Sequence, residues 1–231
     1  MNLLALDTST EVLSLALQKG EEWFTRDIVA GQTHSQQILP LIRSLLSEAG
    51  LLLQDLDGIA YGEGPGSFTG LRIACGVAQG LAFGAGLPVV GVSTLLALAE
   101  NSGADKVIAC LDARMGEVYH AVYEKQANGW NEISPAGLYK PLEVPAIAGE
   151  NWVGVGTGWV TFNAALSQAY DGNLCEIKLG ELIYDHPMAK AILQLAKPQF
   201  EMGLSQPAVS AQPVYIRNKV ALKTVERAAK I

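Results

Sequence analysis

The residues best able to do chemistry gather at two turns. Asp7-Thr8-Ser9-Thr10 closes an apolar run that starts at residue 2. An acid beside hydroxyls can hold a cation through water, and hydroxyls with backbone amides can approach a phosphate. The same residues can instead fold a polar turn whose side chains bond the local backbone. Both readings stand. The second turn is Gly64-Pro65-Gly66-Ser67-Phe68-Thr69-Gly70. Its amides open a helix and could meet an anion there. No Gly-Lys-Ser/Thr follows it, so it is not a Walker loop. Its third glycine comes one residue late for a dinucleotide fingerprint, and Ser67 lacks the flanking glycines of a hydrolase elbow. Ser67 suits a helix cap instead.

Histidines are few: His34, His120 and His186. No two share helical spacing and no Cys-x-x-Cys occurs, so no metal site built from these ligands is expected. A serine or cysteine hydrolase would need the fold to carry His34 to Ser67 or Cys75. At the other end, Arg217, Lys219, Lys223, Arg227 and Lys230 stand against Glu226. That basic tail could touch RNA phosphates or form a solvated helix.

The elements that must hold these turns follow from hydropathy. Residues 2–8, 12–18 and 22–29 read as three hairpin-linked strands. A helix over 32–49 is predicted from Ile38, Leu41, Ile42, Leu45, Leu46 and Ala49, with Pro40 inside it and Gly50 as its stop. A strand at 57–63, a helix at 67–85, a strand at 88–92 and a helix at 94–100 complete the first half. The order β-β-β-α-β-α-β predicts a mixed five-stranded sheet, as in ribonuclease-H-like and actin-like folds. Asn101-Ser102-Gly103 reads as a boundary between lobes at 1–103 and 104–231. The second half holds strands at 106–112, 117–125 and 152–156 and helices near 159–169 and 185–197, with 130–150 read as loop. Asp112 ends its first strand as Asp7 ends the first strand of the chain, a weak internal echo. An extended piece, Pro213 to Arg217, precedes a basic terminal helix.

The helix at 67–85 carries two stripes of small residues: Gly70, Ala74, Ala78 and Ala82, and Gly76, Gly80 and Gly84. Glycine weakens a helix by up to about 1 kcal/mol relative to alanine, so several need a reason. Close approach of another backbone is one. One stripe can face the sheet, and the other a neighbouring helix, within this chain or across an interface.

With 49% hydrophobic and 17% charged residues, the 231-residue chain suits a well-filled core. Its net charge of −7 (16 basic, 23 acidic) repels nucleic acid in bulk. Cys75, Cys110 and Cys175 are odd in number and widely spaced, as free thiols in a reducing cytosol are. The start lacks the basic region of a signal peptide. Ile73 to Ala99 carries no charge, yet its glycines, Gln79 and Pro88 argue for helix, turn, strand and helix rather than a membrane span.

Asp7-Thr8-Ser9-Thr10, the stretch from Tyr61 to Arg72, and Pro213-Val214-Tyr215-Ile216-Arg217 together resemble the TsaB family. Its members are bacterial proteins required, with TsaD and TsaE, to make N6-threonylcarbamoyladenosine in tRNA. The resemblance covers essentially the whole chain. It implies an α/β, two-lobed actin/hexokinase-like fold. It implies that Asp7, Thr8 and Ser9 are the remnant of a phosphate site. TsaD binds metal through two histidines four apart; the matching positions here are Thr94 and Leu98. Its Ser-Gly-Gly-His nucleotide turn is matched by Asp112-Ala113-Arg114-Met115-Gly116-Glu117. Those departures argue against independent catalysis. The resemblance further implies that the helices at 32–49 and 67–85 pair with TsaD, with Leu41, Leu45, Arg72, Gly76, Gln79, Gly80 and Phe83 as contacts. TsaE docks on the pair, and the chain self-pairs when TsaD is absent. No cofactor is expected on the isolated chain, ATP with Mg²⁺ being reserved for the complex. Contact with tRNA is indirect, the location cytoplasmic, and no membrane is involved. A rival reading is an actin-like phosphotransferase or peptidase acting alone. A third is direct tRNA binding through the basic tail.

Overall fold

The computed structural model describes residues 1–217; the basic helix expected beyond them lies outside the described residues. Strands β1 (Asn2–Asp7), β2 (Val12–Lys19) and β3 (Glu22–Val29) form an antiparallel meander. Helix α1 (His34–Ala49) leads to β4 (Gly58–Gly64), helix α2 (Phe68–Ala85), β5 (Pro88–Ser93) and helix α3 (Thr94–Ser102). Strand β4 lies parallel to β1 and to β5. Alternation along β1 divides the core. Leu4 and Leu6 join Ile38, Ile42, Leu45, Ala74 and Ala78 on the face covered by α1 and α2. Leu3 and Ala5 point to the opposite face. Pro40 lies inside α1 on its exposed side, where its missing N–H removes one helix hydrogen bond. Both α1 and α2 stop at left-handed glycines, Gly50 and Gly86.

The second lobe repeats this plan. Strands β6 (Lys106–Asp112), β7 (Val118–Gln126) and β8 (Gly129–Tyr139) are antiparallel; β9 (Trp152–Val155), α4 (Thr157–Ala169) and β10 (Leu174–Ile177) follow. Its order is β10-β9-β6-β7-β8, with β9 parallel to β6 and to β10. The first sheet runs β5-β4-β1-β2-β3 in the same topology. Asp7 and Asp112 therefore end equivalent strands.

The structure departs from the sequence reading in three places. Residues 130–139, within the stretch read as loop, belong to an edge strand, β8. Pro135 sits where the β7–β8 register shifts, a position that needs no ladder N–H, so proline is tolerated there. Strand β10 was not anticipated; it is four residues long and half exposed. The last elements leave the second lobe. After a short turn of helix, α5 (Leu182–Asp185), helix α6 (Ala189–Glu201) packs Ile192, Leu193, Ala196 and Phe200 on the free face of the first sheet. Strand β11 (Gln206–Pro207) then pairs with β5, a sixth strand where five were expected. The first lobe thus takes back chain that sequence order had grouped with 104–231. Among the described residues, no helix is long and apolar enough to cross a membrane.

Candidate functional site: a helix face beside an interlobe cleft

The two motif turns are bonded to each other. The Ser67 amide donates to the Ser9 carbonyl (2.7 Å), and the Thr8 hydroxyl donates to the Gly70 carbonyl (2.7 Å). A side chain at Gly70 would collide with the Thr8 carbonyl, so only glycine permits this approach. Asp7 is wholly buried, and one of its oxygens accepts from the Ser9 amide (2.9 Å) and hydroxyl (2.8 Å). The other oxygen is buried without a hydrogen-bond partner among the described residues. Burial pushes the Asp7 carboxyl up to about 6, against the lowering pull of the Ser9 bonds. Of the three residues expected as a phosphate remnant, Asp7 and Thr8 are turned inward and only Ser9 lines the cleft. Ser67 caps α2, its hydroxyl accepting from the Gly70 amide at 3.4 Å.

The cleft between the lobes measures about 700 Å³. Ser9 to Glu11 and Pro65 to Phe68 form its first-lobe wall, and Asp112 to Met115 with Thr157 and Thr161 its second. Thr94 is wholly buried and donates to the Pro65 carbonyl, and Leu98 is a core residue of the second lobe. The turn after Asp112 is left-handed at Arg114, Met115 and Gly116 (φ 63°, 59° and 76°), a costly state for the two non-glycine residues.

The histidines are scattered. His34 begins α1 and is bonded to neither Ser67 nor Cys75. His120 is inside the second lobe, 2.6 Å from the Tyr170 hydroxyl, and burial lowers it to about 4. His186 borders the cleft, 3.0 Å from the Thr10 hydroxyl, and burial lowers it too. Among the described residues no three His, Cys, Asp or Glu side chains gather as metal ligands would.

On α2 the two small-residue stripes part. Gly70, Ala74, Ala78 and Ala82 are buried toward the sheet. Gly76, Gly80 and Gly84 look outward, and a Cβ built on any of them meets nothing within 4 Å. Phe83 is 71% exposed on the same face, beside half-buried Ile73 and Val77. Arg72 is the one charged residue of α2; its guanidinium lies 3.9 Å from the Phe68 ring centroid and its Nε donates to the Tyr215 hydroxyl at 2.9 Å. Gln79 sits on the flank and reaches the Ala211 carbonyl at 3.5 Å. Leu41 is half-buried on the shoulder of α1. Leu45 corrects the expectation: it is wholly buried in the first-lobe core and cannot meet a partner. The signal was available, since Ile38, Ile42, Leu45 and Ala49 make one inward stripe at helical spacing. Leu39, half exposed, is the outward leucine that the reading missed.

Two lobes of one topology, joined across a cleft, define an actin/hexokinase-like protein. The profile of the family described as "TsaD: tRNA N6-adenosine threonylcarbamoyltransferase" matches residues 28–221. The Escherichia coli (strain K12) tRNA threonylcarbamoyladenosine biosynthesis protein TsaB is 41% identical over 232 residues, covering 96% of this chain and 97% of that protein. Its Haemophilus influenzae namesake is 39% identical over 239 residues, covering 96% of each chain. The solved structure "YeaZ from Pseudomonas aeruginosa" superposes with a TM-score of 0.84 at 38% identity, over 93% of this chain and 99% of that one. The chain belongs to the TsaB family, within the wider group that the TsaD profile describes.

Proposed function

We propose that this chain is a non-catalytic subunit for N6-threonylcarbamoyladenosine formation in tRNA. It holds the catalytic partner TsaD through the α1–α2 face, and TsaE docks on the pair. The observation that carries this reading is the outward glycine stripe. Gly76, Gly80 and Gly84 weaken α2 by about 2–3 kcal/mol together relative to alanine. Among the described residues that cost has no steric reason, because a Cβ at any of the three meets nothing within 4 Å. A partner helix lying against the stripe supplies one: without side chains between them, two backbones approach more closely than bulky contacts allow. Phe83, Ile73 and Val77 flank the stripe on α2 with apolar surface, and half-exposed Leu39 adds an outward apolar residue on α1.

The chemistry belongs to TsaD in this reading: threonylcarbamoyl passes from its adenylate to N6 of adenosine. Two features support leaving it there. A buried threonine and a core leucine stand at the positions matched to metal-binding histidines. The Asp7 and Thr8 side chains are turned away from the cleft. ATP with Mg²⁺ binds only in the complex, tRNA is reached through it, and the same face pairs two copies when TsaD is absent. The setting is the cytoplasm.

Mixing the purified chain with TsaD from the same organism and measuring complex mass tests the assignment. A one-to-one complex is expected. Calorimetric titration of the isolated chain with ATP and Mg²⁺ covers the rival. Tight stoichiometric binding, or turnover of a substrate without companions, would point to a phosphotransferase or peptidase acting alone.

A further inference from the structure

The last described segment, 212–217, leaves the first lobe and ends on the second. It starts against β4. The Gln212 amide donates to the Tyr61 hydroxyl (3.0 Å), and the Val214 amide to the Glu63 carbonyl (2.7 Å). Gly64, at φ +123°, leaves room there for the Val214 carbonyl, which a side chain would press at 2.6 Å. Tyr215 then meets the first turns of α2: its hydroxyl accepts from Arg72, and its ring lies 5.2 Å from that of Phe68. Ile216 packs on the second-lobe core. Arg217 closes the path, 2.6 Å from the Glu117 carboxylate, with further bonds to the Arg114 carbonyl (3.4 Å) and the Met115 sulfur. Its side chain is only 12% exposed. These bonds fall on the left-handed turn at Arg114 and Met115, whose backbone needs outside support to persist.

We propose that residues 212–217 are a strap that fixes the docking face of α2 relative to the second lobe, with Tyr215 and Arg217 as its positioning residues. The proposal rests on the docking reading above. Its physical content is pre-organisation. A partner seated on α2 and reaching across the cleft meets both lobes in one arrangement, so less ordering remains to be done on binding. Arg72 joins the two roles, being at once an exposed residue of α2 and the donor that holds Tyr215.

The test uses the full chain and TsaD from the same organism. Arg217→Ala is expected to weaken the complex about tenfold while speeding amide exchange over 113–117. Tyr215→Ala, at a position 39% exposed, is expected to lose about as much without unfolding the protein. The charge swap Arg217→Glu with Glu117→Arg is expected to recover affinity to within about threefold, which a nonspecific loss of stability would not do. Faster exchange with affinity unchanged to within about twofold in both single variants would overturn the strap. Gly80→Leu separates the readings: if it leaves the complex intact, docking on α2 has failed. If it breaks the complex while the strap variants do not, the strap alone has failed.

Discussion

Asp7 is a wholly buried carboxyl with one oxygen bonded to Ser9 and the other without a partner among the described residues. Lifting it from 3.8 to about 6 corresponds to about 3 kcal/mol between its protonated and charged forms. A raised carboxylate binds its proton more tightly when folded than when unfolded. The Asp7 contribution to stability is therefore full below pH 3.8, is lost as pH rises through about 6, and stays absent above it. In Asp7→Asn this part of the decline is expected to disappear, since the amide oxygen can still accept from Ser9 and no charge is buried. Chemical denaturation of both proteins between pH 4 and pH 8 checks it; parallel curves would contradict the assignment of Asp7. The acid was legible in the sequence as a strand end followed by hydroxyls. Its inward direction was not, because that depends on Gly62, from a distant part of the chain, leaving room for one of its oxygens.

At the scale of elements, the two faces of α1 and α2 make opposite predictions. Leu45→Ala empties a filled core site and is expected to cost about 2–5 kcal/mol of folding stability. Leu39→Asp changes an exposed position and is expected to alter stability by less than about 0.5 kcal/mol, yet to weaken the TsaD complex. Urea unfolding and a binding titration on the same two variants check both. The early helices and strands of the first lobe were legible because β1 and β2 are short apolar runs bounded by polar turns and α1 and α2 carry helical periods. Strand β8 was not, since its one buried residue among many exposed ones resembles a loop. The choice between the stripes was also beyond the sequence. Both repeat every four residues, and only the tertiary fold turned the alanines to the sheet.

The two sheets share one five-strand topology, and Asp7 and Asp112 mark their equivalence. The sequence carried that duplication only as an echo, because the second copy's β8 and β10 have weak patterns. The return of α6 and β11 to the first lobe was not legible, as no local feature tells a helix which sheet to cover. What the assembled fold adds is a contrast. The cleft-side motif turns are bonded to each other, whereas the outer face of α2 is built of residues that nothing in the described chain covers. Gly80→Leu examines that contrast most directly, with melting temperature and TsaD affinity measured on one preparation. The expected result is an isolated protein that melts about 2–4 °C higher, because leucine favours the helix and enters open space, with TsaD binding weakened at least about 100-fold. A lower melting temperature, or TsaD affinity within about threefold of the parent, would contradict the account.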